Sequence, residues 1–391
     1  MNKTLLTPLR TFMRTDFGIF LAVAVVWQIT MSVIGIALHP GHSLLGHMVQ
    51  WDGAWYMSIA AQWYSPESNP ASPAFYPLFP LVTSLLSFVS FGVIPLALSG
   101  LIINTLCLWL ALVALWRITR HYLPGRRAGS AAIIGFMCFP SAFFMHAFYG
   151  EALFISIALW AYLFALNKKW WAMGLLLAAL TASRLPSFLV ALLCGVQFLQ
   201  SYNWQYKKFF NKQLLWFALA PLGFILYGCY LWLVRGNFFA MFSAYHATND
   251  WSYRVFDSNI IHTIGAQAHF ALQQIATHHL TYQLFIDTLL PLASIAAIAI
   301  AAIYVAIYLP RARVPFITYS VASIILFSAQ STLISAHRYT LAYFPIFIAL
   351  AHYATVKKSV YRTIFISCIC IASIGVQLFI YNKFLHVIFA G

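Results

Sequence analysis

Charge is what this sequence has least of. Only 7% of its 391 residues are Asp, Glu, Lys or Arg, and the acids number seven. Soluble globular chains carry about 25% charged residues, because a water-facing surface has to be covered with them. With 62% hydrophobic and 17% aromatic residues, an ordinary soluble enzyme is excluded. No long polar stretch marks off a separate soluble domain. Ligand-spaced cysteine is lacking too. Cys107, Cys138, Cys194, Cys229, Cys368 and Cys370 all lie inside apolar runs, and only Cys368 and Cys370 are close neighbours. They read as packing residues rather than as disulfides or a metal site. The shortage of acids leaves a net charge of +15, which in a soluble protein would point to nucleic acid. In a membrane chain the same excess marks the loops left on the cytoplasmic side, so no nucleic-acid partner is expected. A cleavable leader is not evident either: the first apolar run, Asp16 to Leu38, is long enough to span and has no clear small-residue cleavage site.

What is present is apolar sequence in span-length pieces. A crossing takes about 20 apolar residues. Runs near 17–38, 94–116, 129–148, 150–166, 170–183, 186–200, 213–234, 284–309, 314–335, 339–355 and 360–381 read as spans of a single all-α polytopic domain covering 1–391. The pair 170–183 and 186–200, interrupted at Arg184 and Pro186, is either two crossings or one kinked helix. The stretch Tyr76 to Phe91, short and rich in Pro and Ser, fits an interfacial or re-entrant helix.

Charge placement orients the chain. With the N-terminus inside, the cytoplasmic segments collect Lys3, Arg10, Arg14, Arg117, Arg120, Arg126, Arg127, Lys168, Lys169, Lys207, Lys208, Lys212, Arg311, Arg313, Lys357, Lys358 and Arg362. The other face keeps Arg184, Arg235, Arg254, Arg338 and Lys383, a division of 17 against 5. It requires 170–200 to cross twice, which favours about eleven spans over ten and puts Gly391 outside. The acids divide the other way. Asp52, Glu67, Glu151, Asp250 and Asp257 fall outside or at the outer boundary, Asp16 sits at the inner end of the first span, and Asp287 opens a span from outside. Two outer loops, about 39–93 and 235–283, are long and too aromatic to be disordered. They are expected to pack on the membrane surface and roof a cavity, the first carrying short amphipathic helices.

Four strings concentrate the polar residues. In QWDGAWYMSIAAQWY (Gln50 to Tyr64), Trp55, Ile59 and Trp63 recur at helical spacing, so a short surface helix is expected with Asp52 in its first turn. A carboxylate there is favoured by the helix dipole alone, and Trp51, Trp55 and Tyr56 are equally at home in an interfacial belt. FYGEALF places Glu151 between two apolar runs, where a charge is costly unless partnered or hydrated. TASRLP carries Arg184 at a hairpin tip, and SAHRYTLAYFP carries His337, Arg338 and Tyr339 at an outer helix end. An arginine on the outer side breaks the charge bias. Snorkelling is one reason for it; a bound phosphate, gripped by the forked donors, is another. Taken together, one or two carboxylates and two cations in an outer cavity suit group transfer from a phosphate-linked donor. A sugar hydroxyl needs a base as its bond forms, and the departing phosphate needs positive charge.

On WDGAWY with the following AFYPLFP, on YGEALF, on TASRLP and on HRYTLAYFP, in that order, the sequence resembles the GPI mannosyltransferase II (PIG-V) family and its bacterial relatives within the GT-C class of membrane glycosyltransferases. The resemblance runs from Gln50 to Pro345. It implies a GT-C-type fold and transfer of a sugar, most often mannose, from a polyprenyl-phosphate donor to an extracytoplasmic acceptor by inverting single displacement. By resemblance Asp52 takes the place of the catalytic first-loop aspartate, with Glu151 as the second catalytic carboxylate. Arg184, Arg338 and His337 then bind the donor phosphate, and Trp51, Trp55, Tyr56 and Tyr339 bind substrate. Where many GT-C enzymes have two adjacent carboxylates this chain has Asp52-Gly53, so a divalent metal is possible but not indicated. The implied partners are the lipid-linked donor, membrane lipids and a glycan, lipid or protein acceptor; the implied location is the bacterial inner membrane, with the site facing outward.

His246, His262, His269, His278 and His279 share the second long loop with Asp250 and Asp257, but their spacing is loose and favours acceptor contacts or loop structure over zinc. His39, His42 and His47 precede Asp52, and the sequence does not fix which approaches it. The competing class is a secondary transporter or lipid flippase. Such proteins put ionisable residues at mid-membrane in broken helices and are often built from repeats, whereas here the acids gather at the outer boundary and no internal repeat is visible.

Overall fold

The computed structural model describes residues 15–41, 43, 45–65, 67–246, 259–356 and 359–391. Lys3, Arg10, Arg14, His42, Asp250, Arg254, Asp257, Lys357 and Lys358 lie outside the described residues. Among those described there is no β-strand; every element is helical. The helices are α1 (Asp16–Leu38), α2 (Asp52–Gln62), α3 (Leu78–Val89), α4 (Leu96–Tyr122), α5 (Arg126–Met137), α6 (Glu151–Leu166), α7 (Trp170–Thr181) and α8 (Ser187–Ser201). They continue with α9 (Leu222–Arg235), α10 (Ile260–Ala276), α11 (Leu290–Tyr308), α12 (Arg313–Ser328), α13 (Ala336–Leu341), α14 (Pro345–Thr355) and α15 (Val360–Leu385).

Among the described residues, five helical stretches are long and apolar enough to cross a membrane: α1, α4, Lys212–Arg235, Tyr282–Tyr308 and α15. Shorter apolar helices, among them α3, α6, α7, α8, α12 and α14, accompany them. The chain is a multi-pass membrane protein. In Lys212–Arg235 a 3-10 stretch (Lys212–Leu219) leads into α9, and in Tyr282–Tyr308 a π turn (Phe285–Leu289) precedes α11.

The core is built around α6. This helix is apolar on all sides and buried along most of its length, Ala152, Ala158, Leu159, Ala161 and Tyr162 included; a helix without a polar face has to be enclosed or to face lipid. α4, α7 and α8 enclose it. α15 has the same apolar character, yet its buried residues are confined to its C-terminal part, from Gln377 to Leu385, so most of its surface is left for lipid. α7 and α8 form a returning hairpin rather than one kinked helix. Trp170 at the start of α7 packs edge-on against Phe198 near the end of α8, 5.0 Å between centroids, and the turn between them holds Arg184.

Two expectations need redrawing. The run 129–148 is not one helix: α5 stops at Met137, Pro140 follows, and a 3-10 turn covers Ala142–Met145. The residue before a proline is pushed out of helical geometry, so the helix cannot run on through Phe139 and Pro140 and has ended by Met137. The loop 235–283 contains the seventeen-residue α10. Its Ile261, Phe270, Leu272 and Ile275 are exposed.

The bundle has two chemically different ends. One, the site end, holds Asp52, Glu151, Arg184, Arg338 and the C-terminal residues. The other, the basic end, holds Tyr122, Arg311 and His352 around a cavity.

Candidate active site

The site starts from a tightly tied loop. Trp51 has φ 51° and ψ −120°, a left-handed backbone that a bulky side chain adopts only under external constraint, at a cost of about 1–3 kcal/mol. The constraint is visible. The Asp52 N–H donates to the Tyr149 hydroxyl (3.1 Å), which donates on to the Gln50 carbonyl (3.1 Å). The Phe148 N–H donates to Met48 O (2.9 Å), and Asn104 on α4 donates to Ala147 O (2.6 Å). Loop, 147–149 segment and α4 are thereby fixed to one another, and Asp52 opens α2 at a set position.

Gly53 belongs to the same contact. A Cβ there would lie 3.2 Å from Met48 O and 3.3 Å from Phe148 O, closer than side chains normally approach. A carboxylate at this position would add electrostatic repulsion from both carbonyl oxygens. The packing therefore accounts for the glycine that follows Asp52.

Glu151 is the first residue of α6 and is 2% exposed. Its Oε1 accepts Nε (3.0 Å) and Nη2 (2.8 Å) of Arg338 and Nη2 of Arg184 (2.7 Å). Arg338 also donates from Nη1 to Asp52 Oδ2 (2.8 Å) and to the Gly391 carbonyl (2.6 Å). The Arg338 guanidinium lies over the rings of Phe144 (4.8 Å) and Tyr149 (5.0 Å). Ser335, with φ 64°, turns the chain into α13 so that this arginine faces inward. Two carboxylates and two guanidiniums make a network of zero net charge. That balance matters, because breaking a buried ion pair by removing one partner costs about 3–5 kcal/mol.

The two carboxylates are not equivalent. The Asp52 side chain is 30% exposed and that of Glu151 3%. Asp52 is reachable from outside, whereas Glu151 is walled in as counter-ion to both arginines, its Oε2 without a hydrogen bond. The arginines differ as well. Each nitrogen of the Arg338 guanidinium is engaged, whereas Nε of Arg184 has no partner.

Around this network, Tyr56 is buried within electrostatic reach of all four charged groups, and burial pushes its phenol up to about 12, so it remains a proton-bearing donor. Tyr339 stacks on Phe327 (5.6 Å between centroids) with the Arg184 guanidinium 6.0 Å from its ring. His337 is fully buried and pairs through Nε2 with Ala390 O (3.1 Å); burial lowers its imidazole to about 3, leaving it neutral and directed at the C-terminal segment. Trp51 meets Phe389 edge-on (5.4 Å), and Trp55 stacks on Phe75 (5.4 Å). Between Glu151, Phe154, Arg184, Arg338 and Tyr339 a cavity of about 10 Å³ remains, room for about one water.

Sequence reasoning missed Tyr149, Asn104 and the C-terminal residues. Tyr149 stood inside the quoted FYGEALF string, but as one more aromatic; nothing in the pattern distinguished Asn104 or residues 388–391. Among the described residues no three of His, Cys, Asp and Glu converge as a metal site would require; His262 and His269 lie on α10.

A family model described as Mannosyltransferase (PIG-V) matches residues 36–249, more than half of the chain. The matched stretch contains Asp52, Glu151 and Arg184, while Arg338 lies beyond it. No curated protein matches the chain.

Proposed function

The chain belongs to the mannosyltransferase (PIG-V) family, and we propose on that footing that it transfers a mannosyl residue from a polyprenyl-phosphate donor to a hydroxyl acceptor on the extracytoplasmic face of a bacterial inner membrane. The observation that carries this reading is the Asp52–Arg338–Glu151–Arg184 network: one accessible carboxylate beside two cations whose charge a buried glutamate holds in place.

In this reading the acceptor oxygen attacks the anomeric carbon from the face opposite the phosphate. The new C–O bond forms as the bond from that carbon to the phosphate oxygen breaks, its electron pair leaving with the phosphate, and the configuration inverts. Asp52 takes the hydroxyl proton; a base raises such a rate by about 10²–10⁴. Arg184, with a donor unused, and Arg338, on exchanging Asp52 or Gly391 for a phosphate oxygen, stabilise the departing charge. Glu151 keeps both guanidiniums aimed. Tyr56 and Tyr339 supply a hydroxyl and a ring face to the sugar, Trp51 and Trp55 the rim, and His337 supports Arg338 from behind.

The test is transfer by the purified chain from synthetic polyprenyl-phosphate sugars, scanning sugar and acceptor. Inverted mannoside from the mannosyl donor, lost in Asp52→Asn, is the expected outcome. Transport of an intact lipid-linked sugar across vesicles without any new glycosidic bond would establish the flippase reading instead.

A further inference from the structure

A second and larger cavity, about 430 Å³, opens at the basic end, far from the ion network. It lies where the C-terminal ends of α4, α11 and α14 meet the starts of α5 and α12. Its inner wall is apolar: Leu123, Ala128, Leu309 and Ala312 are all buried. Its mouth is polar and cationic. Arg311 is exposed there beside His352, whose Nδ1 is bonded to the Tyr304 hydroxyl (2.8 Å), leaving Nε2 for another partner.

The electrostatic surroundings are one-sided. Arg126, Arg127 and Arg313 are exposed next to lining residues in the chain. Every ion pair between described residues lies at the other end, among Asp52, Glu151, Arg184 and Arg338. At the basic end the described acids reduce to Asp16, at the start of α1. A cluster of uncompensated arginines beside a pocket attracts a multivalent oxyanion, which guanidinium binds through charge-assisted forks.

We propose that this cavity binds the phosphate headgroup of an anionic phospholipid. Two features favour a lipid over a free anion. The wall below the cationic mouth is hydrophobic, matching the glycerol and upper acyl carbons that follow a lipid phosphate. The pocket also lies at helix ends, where basic clefts between membrane helices meet the headgroup layer. The ligand is distinct from the sugar donor, and its site does not depend on the transfer reaction.

The experiment uses the full chain in zwitterionic nanodiscs doped with phosphatidylglycerol, reading lipid retention by native mass spectrometry and the melting temperature. Phosphatidylglycerol should be retained selectively over phosphatidylcholine and should raise the melting temperature. Arg311→Gln should weaken retention about fivefold, the loss of one surface cation–lipid contact. Thr355→Phe, which fills the exposed mouth with an apolar ring, should abolish selective retention. Both variants alter exposed residues, so unligated melting should match the parent and separates a folding defect from lost binding. Equal retention of the two lipids, or unchanged retention in both variants, overturns the proposal. Equal stabilisation by inorganic phosphate at matched concentration also overturns it, in favour of a soluble anion.

Discussion

Replacing each carboxylate by its amide separates chemistry from architecture at this site. Asp52→Asn and Glu151→Gln each delete one negative charge with almost no change of volume, but the two side chains differ tenfold in exposure, 30% against 3%. At Asp52 the lost partner of Arg338 is a partly exposed carboxylate, and Arg338 keeps both its bonds to Glu151, so the stability cost should stay well below that at Glu151. The melting temperature should fall slightly. Turnover should fall by about 10²–10⁴ if this carboxylate takes the acceptor proton, which is about 2.7–5.5 kcal/mol on the barrier at 1.36 kcal/mol per tenfold. At Glu151 the prediction inverts in kind. Its Oε1 receives three N–H groups from two buried guanidiniums, and Gln leaves an uncompensated positive charge inside. The cost in stability is about 3–5 kcal/mol, with activity lost because the arginines are no longer aimed. Both variants are to be purified in the same lipid, melted, and assayed for single-turnover mannosyl transfer on one sample. Near-parent turnover in Asp52→Asn refutes its role as base. Parent-like melting of Glu151→Gln refutes the counter-ion account of the buried network.

Three further outcomes are expected. Arg184→Lys and Arg338→Lys keep charge but lose the fork, and donor affinity should weaken by about 1–3 kcal/mol with the chain still folded; unchanged affinity in both reduces them to structural cations. Gly53→Asp, which presses a second carboxylate on Met48 O and Phe148 O, should destabilise by about 1–3 kcal/mol, and parent-like melting would show that the loop yields. Reporter fusions after Lys169, Gln200 and Gly391 should read inside, inside and outside; a cytoplasmic signal at Gly391 contradicts the orientation taken from the charge bias.

How far the sequence carried differs from residue to residue. Long apolar runs such as Asp16–Leu38 and Val360–Leu385 were legible because membrane length and helix rise dictate them. α2 was legible as a short helix with Asp52 in its first turn, since Asp52 precedes a helical repeat, and the helix starts at that residue. The end of α5 was not: hydrophobicity continued through Pro140, and the backbone signal was overlooked in favour of composition. α10 was hidden by its Gln, His and Thr residues, whose polarity suits a surface helix as well as a loop. The site was half legible. Arg184 and Arg338 stood out as cations on the wrong side, and Asp52 and Glu151 as rare acids at helix starts. Their pairing was not readable, because it depends on contacts 187 and 286 residues apart. Reading the arginines as phosphate grips missed that, in this structure, they hold the carboxylates first.

Those separations also bear on the order in which the molecule assembles. Glu151 opens α6 and Arg184 sits in the turn between α7 and α8, so their pair can close as that hairpin enters the bilayer, before most of the C-terminal half exists. Arg338 arrives only after α12 is in place, and the entropic charge of closing a loop grows by about 0.6 kcal/mol per doubling of its length. It can dock only into a pocket already carrying negative charge, because Glu151 and Asp52 both wait there at helix starts. Ala390 and Gly391 are held by His337 and Arg338. The ion network is thus a latch between the two halves of the chain. A chain stalled before α13 would hold Glu151 paired with Arg184 but leave Asp52 without its guanidinium partner.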